Sequence, residues 1–137
     1  MAGEKILVVD DDPIIVETIV QALEEDEFDY EVISASDGFE AGLQVNHFHP
    51  HLMILDIMMP EMDGIEACEI IRKTKGLEDS IIAFLTARNE DYSQVAGFDA
   101  GADDYITKPI KPKVLVSKVK SLLRRLKKGE DATEEVL

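Results

Sequence analysis

The sequence predicts a single α/β domain built on a five-stranded parallel sheet with helices on both faces. Short apolar stretches of strand length alternate five times with segments whose apolar residues recur every three or four positions. The stretch 52–56 is continuously apolar up to Asp56, as is typical of a strand buried on both faces. A length of 137 residues suits one domain with a substantial core.

The predicted strands are 5–10, 30–35, 52–56, 80–85 and 103–107, and the predicted helices are 13–25, 39–45, 64–76, 91–100 and 111–127. Asp12 before Pro13 is typical of a helix start, and Gly76 is a candidate cap for the end of the third helix. Five strand–helix units suit the flavodoxin-like strand order 2-1-3-4-5. We place the domain at 4–128 and interpret the acidic segment 129–137 as a frayed tail or the start of a linker.

The charge of the chain limits its function. Its formal net charge is -15, which argues against direct binding of nucleic acid or an anionic membrane and favours cationic partners such as a divalent metal. Its apolar runs are far shorter than the roughly 18 residues of a membrane span, and the N-terminal residues lack a signal-peptide pattern. The single cysteine, Cys68, cannot form an internal disulfide and is expected to be buried. We therefore expect a cytoplasmic protein.

Polar side chains follow four of the predicted strands at their carboxyl ends, where such sheets place their active groups. These are Asp10, Asp11 and Asp12 after the first strand, Asp56 on the third, Thr86 after the fourth and Lys108 after the fifth. The first and third strands are neighbours in the predicted order, so their carboxylates should repel one another unless a proton or a cation intervenes. A hard cation such as Mg²⁺ fits oxygen ligands of this kind. With the lysine and the hydroxyl, the group suits a phosphoryl site at which Asp56 can accept phosphoryl covalently.

Several of these residues also have simpler interpretations. Asp12 fits an N-cap better than a metal ligand, because Pro13 follows it. The pattern His47-x-His49-x-His51 could bind a transition metal, but it lies at the opposite end of the predicted strand from Asp56 and fits a surface loop better.

Taken together, the motifs resemble the receiver domains of two-component response regulators. The matching stretches are ILVVDDD (6–12), LDIMMPEMDG (55–64), LTA (85–87), GADDY (101–105) and Lys108–Pro109. The resemblance implies that Asp56 accepts phosphoryl from a sensor histidine kinase, and that the protein turns over no external substrate. It also implies a Mg²⁺ (or Mn²⁺) ion on Asp10, Asp11, Asp56 and the main-chain carbonyl of Met58.

The resemblance further implies a conformational switch. Thr86 and Lys108 would contact the phosphoryl oxygens, Tyr105 would swing inward as Thr86 moves, and the Lys108–Pro109 bond would be cis. The surface formed by 91–100, 103–107 and 111–127, here called the output face, would then change its binding properties.

The ending 119–125 is most similar to receivers of the winged-helix (OmpR/PhoB-type) transcription factors, which often form homodimers through the output face. Candidate residues for ion pairs across such a dimer are Asp103, Asp104, Lys118, Arg124 and Arg125. The match is partial, because Gln94 and Val114 replace the charged residues usual there. A DNA-binding domain outside this chain is the predicted output, and Arg124–Arg125 favours it. A stand-alone regulator is the alternative that the acidic tail favours.

Two enzyme-like or cofactor-binding functions fit less well. An aspartyl-phosphate phosphohydrolase would carry its nucleophile after the first strand and would need a cap domain. A flavin or dinucleotide module would need a Gly- or Ser/Thr-rich phosphate loop where Asp10, Asp11 and Asp12 stand.

Overall fold

The predicted parallel sheet is present in the structure. The computed structural model of the chain describes residues 3–27, 29–56, 64–86 and 101–136, with the side chains of the last helix as far as Arg125. The strands are β1 (Lys5–Val9), β2 (Glu31–Ala35), β3 (Leu52–Asp56), β4 (Ile81–Thr86) and β5 (Asp104–Thr107). All of their pairings are parallel, and their order is β2-β1-β3-β4-β5. The predicted strand order 2-1-3-4-5 is therefore confirmed.

Helices cover both faces of the sheet. They are α1 (Pro13–Glu24), α2 (Gly38–Phe48), α3 (Gly64–Lys73) and α4 (Pro112–Val136). Successive strand residues point to opposite faces. Ile6 and Val8 accordingly pack in the core beneath α1 and α4, whereas Leu7 and Val9 pack beneath α2 and α3. All four side chains are fully buried, and each such burial contributes about 1.5–3 kcal/mol to stability.

Two helices begin at aspartates whose side chains cap them. The Asp12 carboxylate accepts a hydrogen bond of 2.9 Å from the main-chain N–H of Ile14, and Pro13 is the first residue of α1. The Asp37 carboxylate accepts one of 2.7 Å from the N–H of Glu40 at the start of α2. The predicted N-cap role of Asp12 is thus confirmed, which leaves its carboxylate committed to the helix.

The second helix is longer than the predicted segment 39–45. It begins at Gly38 because Asp37 caps it, and it continues to Phe48. Both Val45 and Phe48 are buried, so core packing holds the last turn in place. His49 ends the helix in the left-handed conformation, with φ at 49°.

The third helix ends at Lys73, so the prediction that Gly76 caps it is wrong. The hydroxyl of Thr74 donates to the carbonyl of Ile70 at 2.7 Å, and the N–H of Thr74 donates to the carbonyl of Ile71 at 3.0 Å. Gly76 lies three residues beyond the helix with φ at 90°, and there it supplies a backbone shape that other residues rarely adopt.

The last helix continues to Val136, beyond the predicted end near Lys127. A single glycine inside a helix costs only about 1 kcal/mol, and the residues after Gly129 include several good helix formers. The backbone at 129–136 is therefore helical and does not form the frayed tail that we expected. The domain boundary at 128 stays a prediction.

The predicted fourth helix, 91–100, falls outside the described residues. Within the described part of the chain, no helix has the length and apolar character needed to cross a membrane.

Candidate functional site

The ends of β1 and β3 bring three carboxylates together. Val9 pairs with Leu55 in the sheet, so the residues that follow them, Asp10 and Asp56, lie side by side. Asp11 joins them, and one carboxylate oxygen from each of the three residues lies within 4.8 Å of the others. Asp10 and Asp56 are only 1% and 4% exposed, whereas Asp11 is exposed to solvent. Two buried carboxylates and one exposed carboxylate thus form an acidic cluster that opens to solvent.

The two carboxylate oxygens of Asp10 differ in their surroundings. Oδ1 accepts a hydrogen bond of 2.9 Å from the main-chain N–H of Asp12, which fixes the side chain. Oδ2 is buried and accepts no hydrogen bond from the described residues. Nζ of Lys108 lies 3.2 Å from this oxygen and forms an ion pair with it.

Lys108 is the cation of this cluster. Its Nζ lies 3.4 Å from Oδ1 of Asp56 as well as 3.2 Å from Asp10. The main-chain N–H of Lys108 donates to the carbonyl of Thr86 at 2.8 Å, which holds the end of β5 against β4. The Lys108–Pro109 bond is cis, as the resemblance implies. Burial lowers the pKa of Lys108, but the carboxylates of Asp56 and Asp10 outweigh burial and raise that pKa above its ordinary value.

The two predicted switch residues lie on neighbouring strands. Thr86 ends β4 and is 2% exposed, and Asp56 pairs with the residue before it, Leu85. Tyr105 pairs with Phe84 in the sheet, and their ring centroids are 5.8 Å apart at an interplanar angle of 60°. Tyr105 is 5% exposed, so its ring is already buried in this structure. The inward swing itself stays a prediction.

The residues present fit a divalent cation. Three carboxylates converge, and Oδ2 of Asp10 is a buried anionic oxygen that lacks a hydrogen-bond donor. Oxygen ligands with access to water on one side are what Mg²⁺ prefers. The predicted main-chain ligand, Met58, lies outside the described residues.

The residues predicted for dimer ion pairs make contacts within the chain. Asp103 is paired with Arg72 at 2.7 Å, and Lys118 is 3.5 Å from Asp104 and donates to the carbonyl of Tyr105. Arg124 and Arg125 are exposed, as is Val114 at 53%, while Gln94 lies outside the described residues.

Sequence reasoning missed the role of Arg72. Its guanidinium donates to the carbonyls of Gly101, Ser80 and Glu78 as well as to Asp103. One available signal was its position on α3 four residues after the buried Cys68, on the same side of the helix.

The histidines lie away from the acidic cluster. His49 caps α2, and Nδ1 of His51 accepts a hydrogen bond of 2.9 Å from the N–H of Lys5, at the amino end of the sheet. Cys68 is fully buried, as expected, and burial raises the pKa of its thiol. Leu115, Val119 and Leu122, on the inner side of α4, are buried in the core that this helix shares with α1.

Curated relatives of the chain are response regulators. It is 42% identical over 134 residues to the DNA-binding response regulator MtrA of Mycolicibacterium smegmatis, covering 98% of this chain and 55% of that protein. It is 44% identical over 123 residues to the alkaline phosphatase synthesis transcriptional regulatory protein PhoP of Bacillus subtilis, covering 90% of this chain and 50% of that protein. The chain thus spans about half the length of these relatives.

Solved structures and a family match also relate the chain to response regulators. A CheY-like response regulator receiver domain protein from Methanospirillum hungatei superposes with a TM-score of 0.85 at 31% identity, covering 93% of this chain and 99% of that one. The BeF3-activated DrrB receiver domain gives 0.77 at 34% identity, with coverage of 90% and 99%. Residues 6–120 match the family described as response regulator receiver domain. With five parallel strands in the order 2-1-3-4-5 and this match over most of its length, the chain belongs to the response regulator receiver domains of two-component systems.

Proposed function

We propose that Asp56 is the residue of this receiver domain that accepts a phosphoryl group from a sensor histidine kinase. The observation that carries this proposal is the position of Asp56: its carboxylate lies beside Asp10 and Asp11, and its Oδ1 is 3.4 Å from Nζ of Lys108. A buried carboxylate held next to a cation and further oxygen ligands suits covalent phosphoryl transfer.

The chemistry is a displacement at phosphorus. A carboxylate oxygen of Asp56 forms the new O–P bond while the N–P bond of the kinase phosphohistidine breaks, and the imidazole nitrogen leaves with the electron pair. The ammonium group of Lys108 would neutralise one phosphoryl oxygen, and the hydroxyl of Thr86 would donate to another. The protein would catalyse only its own phosphorylation and dephosphorylation.

Asp10, Asp11 and Asp56, together with the main-chain carbonyl of Met58, would hold Mg²⁺ or Mn²⁺. When bound, the ion supplies positive charge to the phosphoryl oxygens. The buried Oδ2 of Asp10 supports this assignment, because it accepts no hydrogen bond from the described residues and a metal would satisfy it.

Phosphorylation would act at a distance through Thr86 and Tyr105. Phosphorylation adds a charge of about -1.5 to -2 at Asp56, which should draw Lys108 and Thr86 toward the new oxygens. The output face would then favour a second arrangement that binds its target or a second copy of the chain. The charged residues of that face are Asp103, Asp104, Lys118, Arg124 and Arg125, of which the first three already make contacts within the chain.

The output proposed for this protein is control of transcription in the cytoplasm. Two curated relatives are named as a DNA-binding response regulator and a transcriptional regulatory protein, and both are about twice as long as the matched region. The net charge of -15 disfavours DNA binding by this chain, so a separate DNA-binding domain would contact the DNA. The alternative is a single-domain regulator that acts through protein contacts.

Incubation with acetyl phosphate and Mg²⁺, followed by intact-mass and peptide analysis, tests the proposal. The expected result is the mass gain of one phosphoryl group on Asp56, absent from Asp56→Asn and retained by Asp79→Asn, which removes an exposed carboxylate outside the site. Phosphorylation of Asp56→Asn at the wild-type level would contradict the assignment. Continued release of phosphate without a stable adduct would instead indicate a phosphohydrolase.

A further inference from the structure

An apolar cavity of about 200 Å³ lies between α2 and α3, on the face of the sheet opposite to α1 and α4. Its floor consists of Leu7, Met53 and Leu55, which are buried strand residues. Ala41 and Gly42 of α2 form one wall, and residues of α3 form the other. The cavity is therefore bounded by β1, β3, α2 and α3, and it opens to solvent between the two helices, where Gly42, Asn46 and Ile70 are exposed.

Small residues create this space. The wall of α2 consists largely of Gly38, Ala41 and Gly42, and Ala67 faces it from α3. Gly42 lies at the exposed rim of the cavity, and a Cβ atom placed on it would meet no heavy atom of the described residues within 4 Å.

The lining determines which ligand the cavity would accept. Among the described residues, no charged side chain lines it, and its polar side chains are those of Asn46 and Thr74. The hydroxyl of Thr74 already donates to the carbonyl of Ile70 at 2.7 Å. A water molecule needs two to four polar partners, and an ion needs more, so neither is well served here.

Exposed apolar side chains continue the apolar surface toward solvent. Ile70, which lines the cavity, is 55% exposed. Phe39 and Leu43 follow Gly38 and Gly42 in α2, are four residues apart on one strip of the helix, and are 73% and 55% exposed. Exposed apolar groups beside an apolar cavity are typical of a binding site.

We propose that this cavity binds a small uncharged ligand with one or two fused aromatic rings. An apolar cavity of about 150 Å³ can take up benzene, so a volume of 200 Å³ accommodates a slightly larger ring system. The site is separate from the phosphoacceptor cluster, because none of Asp10, Asp11, Asp56 and Lys108 lines it. The proposal therefore stands or falls independently of the phosphoryl chemistry.

Titration of the whole chain with indole, followed by two-dimensional NMR of methyl groups, tests the proposal. We expect saturable one-to-one binding with the largest shifts at Leu7, Met53 and Leu55, and no saturable shift with the charged analogue indole-3-acetate. Gly42→Leu should fill the cavity and weaken the binding of indole by at least about tenfold. Ala67→Leu, from the opposite wall, should do the same.

His47→Leu is the matched control, because it adds the same side chain to an exposed position of α2 that does not line the cavity. It should bind indole as the wild type does. The proposal would be overturned if the wild type showed no saturable shift with indole. It would also be overturned if Gly42→Leu and Ala67→Leu both bound indole as tightly as the wild type. A further contrary result would be a concentration-dependent dimer that persists in indole but does not form in either filled variant. That result would overturn the proposal by showing that a second copy of the chain occupies the cavity.

Discussion

Arg72 and Asp103 are joined across the end of the sheet by an ion pair of 2.7 Å between Nη2 and Oδ2. The same carboxylate oxygen accepts a hydrogen bond of 2.8 Å from the N–H of Ile82, at the start of β4. The guanidinium also donates to the carbonyl of Gly101, whose missing side chain leaves room for it: a Cβ there would lie 3.0 Å from Cγ of Arg72. Arg72 thereby ties α3 to the starts of β4 and β5.

This relationship changes the interpretation of Asp103. The residue was a candidate for an ion pair across a dimer, but here its carboxylate is occupied within the chain. Recruitment of Asp103 to a partner would require it to share these bonds or give them up. Arg124 and Arg125, which are exposed, are the freer cations for such a contact.

Replacement of Arg72 by alanine should destabilise the fold by about 2–3 kcal/mol, because several carbonyls and one partly buried carboxylate lose their donor. Arg72→Lys should recover less than half of this loss, since an ammonium group lacks the planar fork that reaches several acceptors. Urea unfolding measures both changes.

Lys73→Ala is the control for that experiment, because Lys73 is an exposed cation on the same helix. Its free energy of unfolding should stay within about 0.5 kcal/mol of the wild-type value. A similar loss for both variants would show that the charge of the helix end, and not the Arg72 contacts, supports the fold.

Removal of the Lys108 ammonium should tighten Mg²⁺ binding. In the absence of metal, Lys108 offsets part of the negative charge of Asp10 and Asp56, so Lys108→Met leaves the carboxylates with stronger mutual repulsion that a divalent ion relieves. We expect an affinity about three- to tenfold higher, together with phosphorylation by acetyl phosphate that is slower by at least about tenfold. The chain has no tryptophan, so calorimetry or NMR suits the binding measurement.

Lys111→Met serves as the comparison, because Lys111 is exposed and makes no ion pair among the described residues. It should bind Mg²⁺ as the wild type does. The raised pKa of Lys108 keeps the side chain charged through neutral and mildly alkaline pH, so the difference between the variants should not change between pH 7 and pH 9. Weaker Mg²⁺ binding by Lys108→Met would contradict the competition between lysine and metal.

Cys68 should resist thiol reagents in the folded protein. The side chain is fully buried and shielded from reagents, and burial raises the pKa of the thiol, which disfavours the reactive thiolate in the native state. Reaction with an aromatic disulfide reagent should be slow in buffer and fast and stoichiometric in urea, with Cys68→Ala as the blank. Fast reaction without denaturant would mean that α3 opens readily.

The sheet and its site could be predicted because the sequence changes from apolar to polar residues where the strands end. The apolar run at 52–56 stops at a carboxylate, and alternation with helical segments places that end beside Asp10. Helix ends were harder to predict, because they depend on contacts far along the chain. The end of α2 depends on the burial of Phe48, which local sequence does not reveal.

The contacts of Arg72 and the cavity beside Gly42 show a second limit. Arg72 reaches Gly101 and Asp103, which are 29 and 31 residues away, and nothing in a helical pattern identifies such acceptors. The cavity depends on the gap that remains between two helices after packing, which small residues permit but do not require. Both features follow from tertiary structure and not from any local motif.

Tyr30 should ionise later than an ordinary tyrosine. Burial, then the neighbouring carboxylate of Asp26, raises its pKa from 10.0 to about 12. The folded state therefore keeps a proton that the unfolded state loses above pH 10, so this contribution to stability is complete below pH 10 and disappears as the pH rises toward 12. In a spectrophotometric titration, Tyr30→Phe should remove a late phenolate step that Tyr105→Phe retains. Asp26→Asn should move the step to lower pH, and an unchanged step in that variant would show that burial alone raises the pKa.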